Sequence, residues 1–276
     1  MGQATTVCAP NAPYNSVMVA ESGVFDAHIE IWRHEQSMPW QRVKRNVALS
    51  NLLGHMGQPA IHVLDAGGGN GLHAVPLAQL GHKIDVVDYS QEMIVDGTAT
   101  VAASGLLEKV TFHHGMIEDI PSLFPRDQFD AVLCHNVLQY VRDVPAALQA
   151  ILAPLKRDGI VSVIAINHYS NTYHRAFLAG NLDSALELID AREFNTIFDT
   201  VATGYTAAEM EDMLRSVGCV VRASYGLLCI MGYWGDNERK SQPDIENKLE
   251  KLEFALTDKY PYKLLARYFQ VIGQKQ

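Results

Sequence analysis

The chain of 276 residues is 48% hydrophobic and 19% charged, which is the composition of an ordinary globular protein with a substantial core. Its formal net charge is −9, so its surface does not attract polyanions at long range, which disfavours a general nucleic-acid binder. Four widely separated cysteines without a C-x-x-C spacing argue against a zinc knuckle or a disulfide framework. No membrane-length apolar run and no secretory signal pattern is present, so we expect a cytoplasmic protein that does not contact a membrane.

The start of the chain predicts an arm followed by a helical cap. Residues 1–23 are rich in Ala, Pro, Asn and Ser without periodicity, which is typical of a flexible arm. Apolar residues recur at helical spacing over residues 24–56, and Pro39 is expected to divide this cap into two helices. We expect residues 24–276 to form one domain.

Short apolar strands and helices alternate after the cap. Strands are predicted at 61–65, 83–88, 110–113, 129–134 and 159–166. Helices are predicted between them, at 73–80, 91–104 and 144–155. This order requires crossover connections, and it therefore predicts a Rossmann-like, doubly wound α/β fold with a mostly parallel sheet of seven strands.

The alternation breaks after the fifth strand. Residues 167–204 form a long, Tyr- and His-bearing segment with helical character, which we interpret as a lid inserted into the domain. The predicted elements that complete the domain are a helix at 207–217, an extended stretch at 223–233, a helix at 245–258 and a strand at 265–273.

A glycine-rich segment at 63–72, Val-Leu-Asp-Ala-Gly-Gly-Gly-Asn-Gly-Leu, directly follows the first strand. Without side chains, its glycines let the backbone approach a ligand closely, and the next helix offers N–H groups at its start. The second strand ends at Asp88, 17 residues beyond Gly71, where a carboxylate can accept from both hydroxyls of a ribose. Open α/β sheets bind ligands in this crevice beyond the strand ends.

Two kinds of cofactor fit this segment. Gly69-Asn-Gly71-Leu-His-Ala74 satisfies the G-x-G-x-x-A pattern of dinucleotide binding, and Asp88 stands 19 residues further on, which would suit an NAD-dependent oxidoreductase. Asp65, which precedes the glycines, favours a different cofactor, S-adenosylmethionine. Asp65-x-Gly67-x-Gly69-x-Gly71 resembles the glycine loop of class I S-adenosylmethionine-dependent methyltransferases.

This resemblance implies a methyltransferase whose cofactor is S-adenosyl-L-methionine. In that family the glycine loop faces the methionine end of the cofactor, and the acid that ends strand two holds the ribose. The segment 114–121, His-Gly-Met-Ile-Glu-Asp-Ile-Pro, resembles the family's acidic loop beside the adenine, and 134–140 resembles the end of strand four that lines the pocket. The predicted cofactor residues are Asp65, Gly67, Gly68, Gly69, Asp88, Tyr89, Met116, Ile117, Glu118 and His135, together with Arg42, which a second and looser resemblance implies.

A looser resemblance extends over most of the chain. Phe25-Asp26, Arg42, the segment 179–183 and the ending Tyr262-x-x-x-x-Arg267-Tyr-x-x-Val271 are similar to bacterial methyltransferases that esterify the carboxylate of a modified wobble uridine in tRNA. This resemblance implies that Arg42 neutralises the methionine carboxylate, a role that suits a guanidinium. The acidic surface and the aromatic element at 232–235 depart from that family, so we expect a small-molecule acceptor and keep tRNA as the alternative.

The chemistry of methyl transfer requires little beyond positioning of the acceptor atom in line with the methyl–sulfur bond. A carboxylate acceptor needs no base, whereas an alcohol, phenol or amine does. The candidates for such a base are His135, His168, Tyr169, Tyr173 and His174. The candidates for lining an anionic or aromatic acceptor pocket are Arg175, Arg192, Tyr205, Tyr233 and Trp234. The histidines show no metal cluster, so we expect metal-independent transfer.

Overall fold

A seven-stranded sheet forms the centre of the molecule, which is known from a computed structural model that describes residues 28–57 and 60–276. The expected arm at 1–23 and the motif Phe25-Asp26 lie outside the described residues. The strands are β1 (His62–Ala66), β2 (Lys83–Asp88), β3 (Val110–His114), β4 (Phe129–His135), β5 (Leu155–Ile166), β8 (Cys219–Leu227) and β9 (Tyr268–Lys275). Two further strands, β6 (Glu193–Asn195) and β7 (Val201–Thr203), form a separate hairpin.

The strand order in the sheet is β3-β2-β1-β4-β5-β9-β8. Strands β1 to β5 pair in parallel, whereas β9 runs antiparallel to both β5 and β8. The order reverses between β1 and β4, and this is the point at which open α/β sheets bind ligands. The structure therefore confirms the predicted Rossmann-like fold and its mostly parallel seven-stranded sheet.

Helices cover both faces of the sheet. They are α1 (Ile29–Ser37), α2 (Pro39–Leu53), α3 (Ala74–Gln79), α4 (Gln91–Ala103), α5 (Ile120–Leu123), α6 (Val144–Leu152), α7 (His168–Phe177), α8 (Leu182–Glu187), α9 (Ala207–Ser216), α10 (Asn237–Lys240) and α11 (Pro243–Leu256). The core on one face contains Leu148 of α6 and Leu214 of α9, and the core on the other contains Leu52, Leu77 and Val101. Two apolar cores on one sheet explain why the central strands are buried on both sides.

The cap consists of α1 and α2, which meet at Met38 because Pro39 occupies the first turn of the second helix. Helix α2 turns its apolar face inward, where Val43 and Val47 pack with Leu227 and Leu249. Residues on the neighbouring face of α2 are thereby carried over the carboxyl ends of the strands.

The insertion after β5 differs in part from the prediction of a helical lid. Helices α7 and α8 fill its first half, and their N-termini are capped by Asn167 and Asn181. Its second half is the β6–β7 hairpin, whose Phe194 and Ala202 pack against Ile166 at the end of β5. Each of these strands has only three residues, which is too short to show a period of two in the sequence.

The extended stretch predicted at 223–233 ends earlier in the structure. Strand β8 stops at Leu227, and Leu228 has a positive φ of 59°. The turn that follows is fixed by Glu253 of α11, whose carboxylate accepts the backbone N–H groups of Cys229, Ile230 and Met231 at 2.6, 2.9 and 2.7 Å. The backbone N–H groups of this segment therefore bind the carboxylate of Glu253 instead of a neighbouring strand, although the local sequence favours an extended strand.

Candidate active site

A cleft of about 1410 Å³ lies beyond the carboxyl ends of the strands, between the cap and the insertion. Of the predicted cofactor residues, all except Arg42 line it. They are Asp65, Gly67, Gly68, Gly69, Asp88, Tyr89, Met116, Ile117, Glu118 and His135. The fold thus brings together residues from four separate segments of the chain, as the motif interpretation requires.

The glycine bend, defined as residues 67–71, joins β1 to the approach of α3. Gly67, Gly69 and Gly71 have φ values of 71°, 57° and 77°, in the left-handed region that side chains disfavour. A Cβ atom on Gly67 would lie 2.4 Å from Cγ2 of Val137, another residue of the cleft wall. The bend therefore needs glycine both for its backbone conformation and for the space that it leaves.

Asp88 ends β2 beside this bend and is largely buried. Its Oδ2 accepts the N–H of Gly69 at 2.7 Å, and its Oδ1 accepts the N–H of Ser90 at 2.9 Å. A carboxylate can accept about four hydrogen bonds. Asp88 thus fixes the bend, and it lies in the wall of the cleft.

Asp65 lies beneath the bend with only 1% of its surface exposed. Neither of its carboxylate oxygens has a hydrogen-bond partner in residues 28–57 or 60–276. Burial, with a smaller contribution from Asp88, raises the pKa of Asp65 to about 7. Buried polar atoms in native proteins almost always have a partner. Because Asp65 lines the cleft, a cationic or hydrogen-bond-donating group of a ligand would supply the missing partner.

The loop after β3 forms the next part of the wall. Ile117 begins a short 3-10 turn and is buried, whereas Met116 and Glu118 are exposed at the cleft. Asp119 accepts the backbone N–H of Met116 at 2.9 Å. This contact gives Asp119 a structural role and leaves Glu118 as the acid that a ligand can reach.

The opposite half of the cleft, under the cap and the insertion, carries a group of basic side chains. Six basic residues line the cleft, and four of them, Lys44, Arg175, Lys240 and Arg267, form this group; the other two are Arg45 and Arg142. The ammonium groups of Lys44 and Lys240 stand 4.3 Å over the rings of Tyr268 and Trp40. We call this set the basic half, and it also contains Glu35, which accepts from the side chains of Trp40 and Gln41.

Lys44 is buried, and Arg267 is held in place by two hydrogen bonds. Burial, with a smaller contribution from Arg45, lowers the pKa of Lys44 to about 7. Arg267 donates to Oγ of Ser170 at 2.8 Å and to Oδ1 of Asn171 at 2.9 Å. A buried cation that lacks a full counter-charge favours an anionic ligand, because the ligand would restore the lost solvation.

Three histidines line the cleft. Burial lowers the pKa of His73 and of His174 to about 3, and it lowers the pKa of His135 well below its usual value. All three rings are therefore neutral at physiological pH. A proton acceptor works best when its pKa is near the operating pH, so these rings are weak bases.

Several predicted residues lie elsewhere. Arg42 is exposed on the outer face of α2 and pairs with Glu246, whereas His168 and Tyr173 lie in α7 outside the cleft wall. Of the predicted acceptor residues, only Arg175 lines the cleft. Arg192 pairs with Glu209. The others that lie outside the wall are Tyr169, Tyr205, Tyr233 and Trp234.

The sequence interpretation missed Lys44, Lys240 and the role of Arg267 in the cleft. The sequence contains no clear signal for Lys44: it stands at helical spacing with Gln41 and Ala48, but only the structure shows that all three are buried. Arg267 and Lys240 carried no signal either, since they reach the cleft only through the packing of the last third of the chain.

The described residues contain neither a metal-binding cluster nor a membrane-spanning helix. Within residues 28–57 and 60–276, no three His, Cys, Asp or Glu side chains are grouped so that they could hold a metal ion. The helices of that part of the chain include none with the length and apolar character needed to cross a membrane.

Comparison with known proteins agrees with the site. The methyltransferase-domain family matches residues 63–159. The chain is 28% identical over 240 residues to the tRNA 5-carboxymethoxyuridine methyltransferase of Escherichia coli, covering 87% of each chain. A possible histamine N-methyltransferase from Thermotoga maritima has a TM-score of 0.61 at 17% identity, covering 92% of this chain and 99% of that one. The 1,6-didemethyltoxoflavin-N1-methyltransferase of Burkholderia thailandensis, solved with S-adenosylhomocysteine, has a TM-score of 0.60 at 17% identity, covering 97% and 93%.

The glycine bend, the acid that ends β2 and the sheet order agree with the resemblance to class I S-adenosylmethionine-dependent methyltransferases. The chain is a methyltransferase, and S-adenosylmethionine is its cofactor. This result decides between the two interpretations of the glycine motif and removes the NAD-dependent oxidoreductase. The looser similarity to the tRNA carboxymethoxyuridine methyltransferases also holds.

Proposed function

We propose that the enzyme transfers the methyl group to a small, anionic acceptor held in the basic half of the cleft, without the help of a metal ion. The observation that carries this proposal is the group of four basic side chains, Lys44, Arg175, Lys240 and Arg267, in the cleft of a protein whose net charge is −9. Basic side chains grouped in one cleft give it a local positive potential, which stabilises a bound anion even though the protein as a whole is acidic.

The glycine half of the cleft fits the cofactor by charge and shape. Asp88 would hold the ribose hydroxyls, and Met116, Ile117 and Glu118 would lie beside the adenine. The carboxyl of Asp65, which has no partner among the described residues, suits the amino group at the methionine end. When bound, S-adenosylmethionine supplies an electrophilic methyl carbon attached to a positively charged sulfur.

We assign the methionine carboxylate to Arg45 rather than to Arg42. Arg45 lines the cleft and, with Lys44, lies close enough to His73 to lower its pKa, although burial is the larger cause. His73 in turn immediately follows the segment of the glycine bend. Arg42 is turned away from this region by its ion pair with Glu246.

The acceptor side favours a group that arrives already deprotonated. The three histidines of the cleft are neutral and weakly basic because burial lowers their pKa. They are poorly suited to removing a proton from an alcohol or an ammonium, whereas a carboxylate needs no such step. The basic half would orient this carboxylate, and such positioning supplies roughly 7–11 kcal/mol of a reaction barrier.

A second candidate is methylation of a tRNA base. It is favoured by the similarity to the Escherichia coli enzyme, which extends over 87% of both chains. The net charge of −9 and a basic group enclosed in a cleft favour the small acceptor. We also propose a cytoplasmic location, since Cys134, Cys219 and Cys229 are buried and free of disulfides.

The test is to incubate the purified enzyme with methyl-labelled cofactor and either bulk tRNA or the small-molecule fraction of a deproteinised cell extract. We expect label in a small molecule whose carboxylate has become a methyl ester, with no effect of EDTA on the amount incorporated. Label in the tRNA arm that is released by ribonuclease and falls steeply with added salt would replace this acceptor by tRNA. Loss of activity with EDTA, restored by a divalent cation, would contradict the metal-independent mechanism.

A further inference from the structure

His135 ends β4 at the cleft and is buried, with 8% of its surface exposed. Its Nε2 lies 2.8 Å from Oγ of Ser162, which is completely buried on the neighbouring strand β5. Its Nδ1 is buried too, and no hydrogen-bond partner for it occurs in the described part of the chain. The ring therefore has one nitrogen paired with Ser162 and one without a partner among the described residues.

The direction of the hydrogen bond between His135 and Ser162 follows from Gln270 on β9. The amide nitrogen of Gln270 donates to the carbonyl oxygen of Ala48 at 3.0 Å and to Oγ of Ser162 at 3.0 Å. A carbonyl oxygen can only accept, so the NH₂ group must face Ala48. The amide oxygen of Gln270 accepts from the side chain of Asn51 at 3.1 Å, which fixes the same orientation.

The hydroxyl group of Ser162 must then donate its hydrogen bond to Nε2 of His135. Its Oγ already accepts from Gln270, and the histidine is its other partner in the described structure. If Nε2 donated instead, the buried hydroxyl proton of Ser162 would have no acceptor, which would cost the full desolvation of that group. Nε2 accepts, and in a neutral imidazole the proton then resides on Nδ1.

We propose that Ser162 and Gln270 lock His135 in the Nδ1–H tautomer, so that it donates one hydrogen bond to a carboxylate oxygen bound in the cleft. His135 in this state is not a base, because its only proton-accepting nitrogen is occupied by Ser162. The carboxylate could belong to the amino-acid end of the cofactor or to the acceptor. The identity of this carboxylate rests on the proposed function, whereas the tautomer does not.

The tautomer is tested by long-range ¹H–¹⁵N NMR of the enzyme with ¹⁵N-labelled histidine, with the His135 signals assigned by their loss in His135→Asn. We expect the pattern of an Nδ1-protonated neutral ring that does not titrate between about pH 5.5 and 8.5, a range around the ordinary histidine pKa. In Ser162→Ala we expect the pattern to shift toward the Nε2–H form. A wild-type ring with the proton on Nε2, or one that titrates in this range, would overturn the proposal.

The donor role is tested by the matched pair His135→Asn and His135→Gln. The asparagine amide can replace the Nδ1 donor, whereas the glutamine amide reaches toward Ser162 and leaves the cleft without a donor. We expect His135→Gln to weaken binding by about 10-fold or more, the effect of losing a hydrogen bond to a charged group, and His135→Asn to restore most of it.

The probes identify which carboxylate is involved. Weaker binding of S-adenosylhomocysteine with unchanged binding of methylthioadenosine, which lacks the amino acid, would assign the donor to the cofactor. If cofactor binding is unchanged but more of the small-molecule extract is needed for half-maximal methyl transfer, the His135 donor contacts the acceptor. If His135→Gln alters neither quantity, the donor role is wrong, and continued methyl transfer by that variant would show that the proposed function still stands.

Discussion

The two halves of the cleft differ in charge and in how the chain builds them. The glycine half consists of a bend and acids at the ends of adjacent strands, including Asp65 and Asp88. The basic half gathers Lys44 from the cap, Arg175 from the insertion and Arg267 from the last segment before β9. One half is thus fixed by local structure, whereas the other depends on tertiary packing; we propose that the first serves the cofactor and the second the acceptor.

The strongest way to break this comparison is to fill the glycine bend. In Gly67→Ala the new Cβ would meet Val137, and its φ of 71° would be strained. These effects cost about 2–5 kcal/mol together, from roughly 1–2 for the left-handed backbone and 1–3 for overpacking. The bend would relieve them by moving, so we expect affinity for S-adenosylhomocysteine to fall by a comparable amount in isothermal titration.

Gly105→Ala is the matched control for this substitution. Gly105 also has a positive φ, of 68°, but a Cβ there meets no atom within 4 Å, and it lies outside the cleft. We expect a lower melting temperature and unchanged cofactor affinity. Equal losses of affinity in the two variants would show that the bend has no special part in binding.

Asp65→Asn tests whether the buried carboxyl of Asp65 lowers the free energy of unfolding while it contributes to cofactor binding. The raised pKa of Asp65 means that the folded state holds this proton more tightly than the unfolded state, whose carboxyl titrates near pH 4. The wild type should therefore lose stability as pH rises from about 4 to about 7, and Asn should not. Chemical denaturation should show Asp65→Asn more stable above pH 7 by up to about 4 kcal/mol, while its affinity for S-adenosylhomocysteine falls. An equal pH dependence in the two proteins would contradict the raised pKa.

Asp88→Ala removes the expected ribose contact. Charge-assisted hydrogen bonds of this kind contribute about 1.5–3 kcal/mol, so affinity for S-adenosylhomocysteine should fall by that amount. Because Asp88 also fixes Gly69, circular dichroism must show that the variant is folded at the temperature of the titration. Unchanged affinity in a folded variant would rule out the ribose assignment.

The smallest effect distinguishes two arginines of one helix. Arg45→Ala should weaken S-adenosylhomocysteine binding by about 1 kcal/mol, a modest value because Arg45 is only half-buried. Arg42→Ala should change it by less than about 0.5 kcal/mol, as is usual for surface substitutions. The reverse result in parallel titrations would restore Arg42 to the cofactor site.

The sequence predicted which residues of the glycine half lie together, because they stand at or just after the ends of successive strands. Asp65, the glycines and Asp88 stand at fixed distances from apolar strands, so that fold and site follow from the same pattern. Arg42 and Arg45 show the limit of this prediction. They stand three residues apart on one helix, and the sequence pattern does not show which of the two faces the cleft. Lys240 and Arg267 could not be placed, because no local pattern records how the last segments fold back onto the cleft.

The central claim is that the glycine bend and Asp88 form the seat of the S-adenosylmethionine cofactor, with the basic half facing its sulfur. A crystal structure of the enzyme with S-adenosylhomocysteine tests this claim most directly. We predict that the ribose hydroxyls contact the Asp88 carboxylate, that the amino group contacts Asp65, and that the sulfur faces the side of Lys44 and Arg267. The account is contradicted if the nucleoside binds away from Asp88, or if the sulfur faces a surface without these cations.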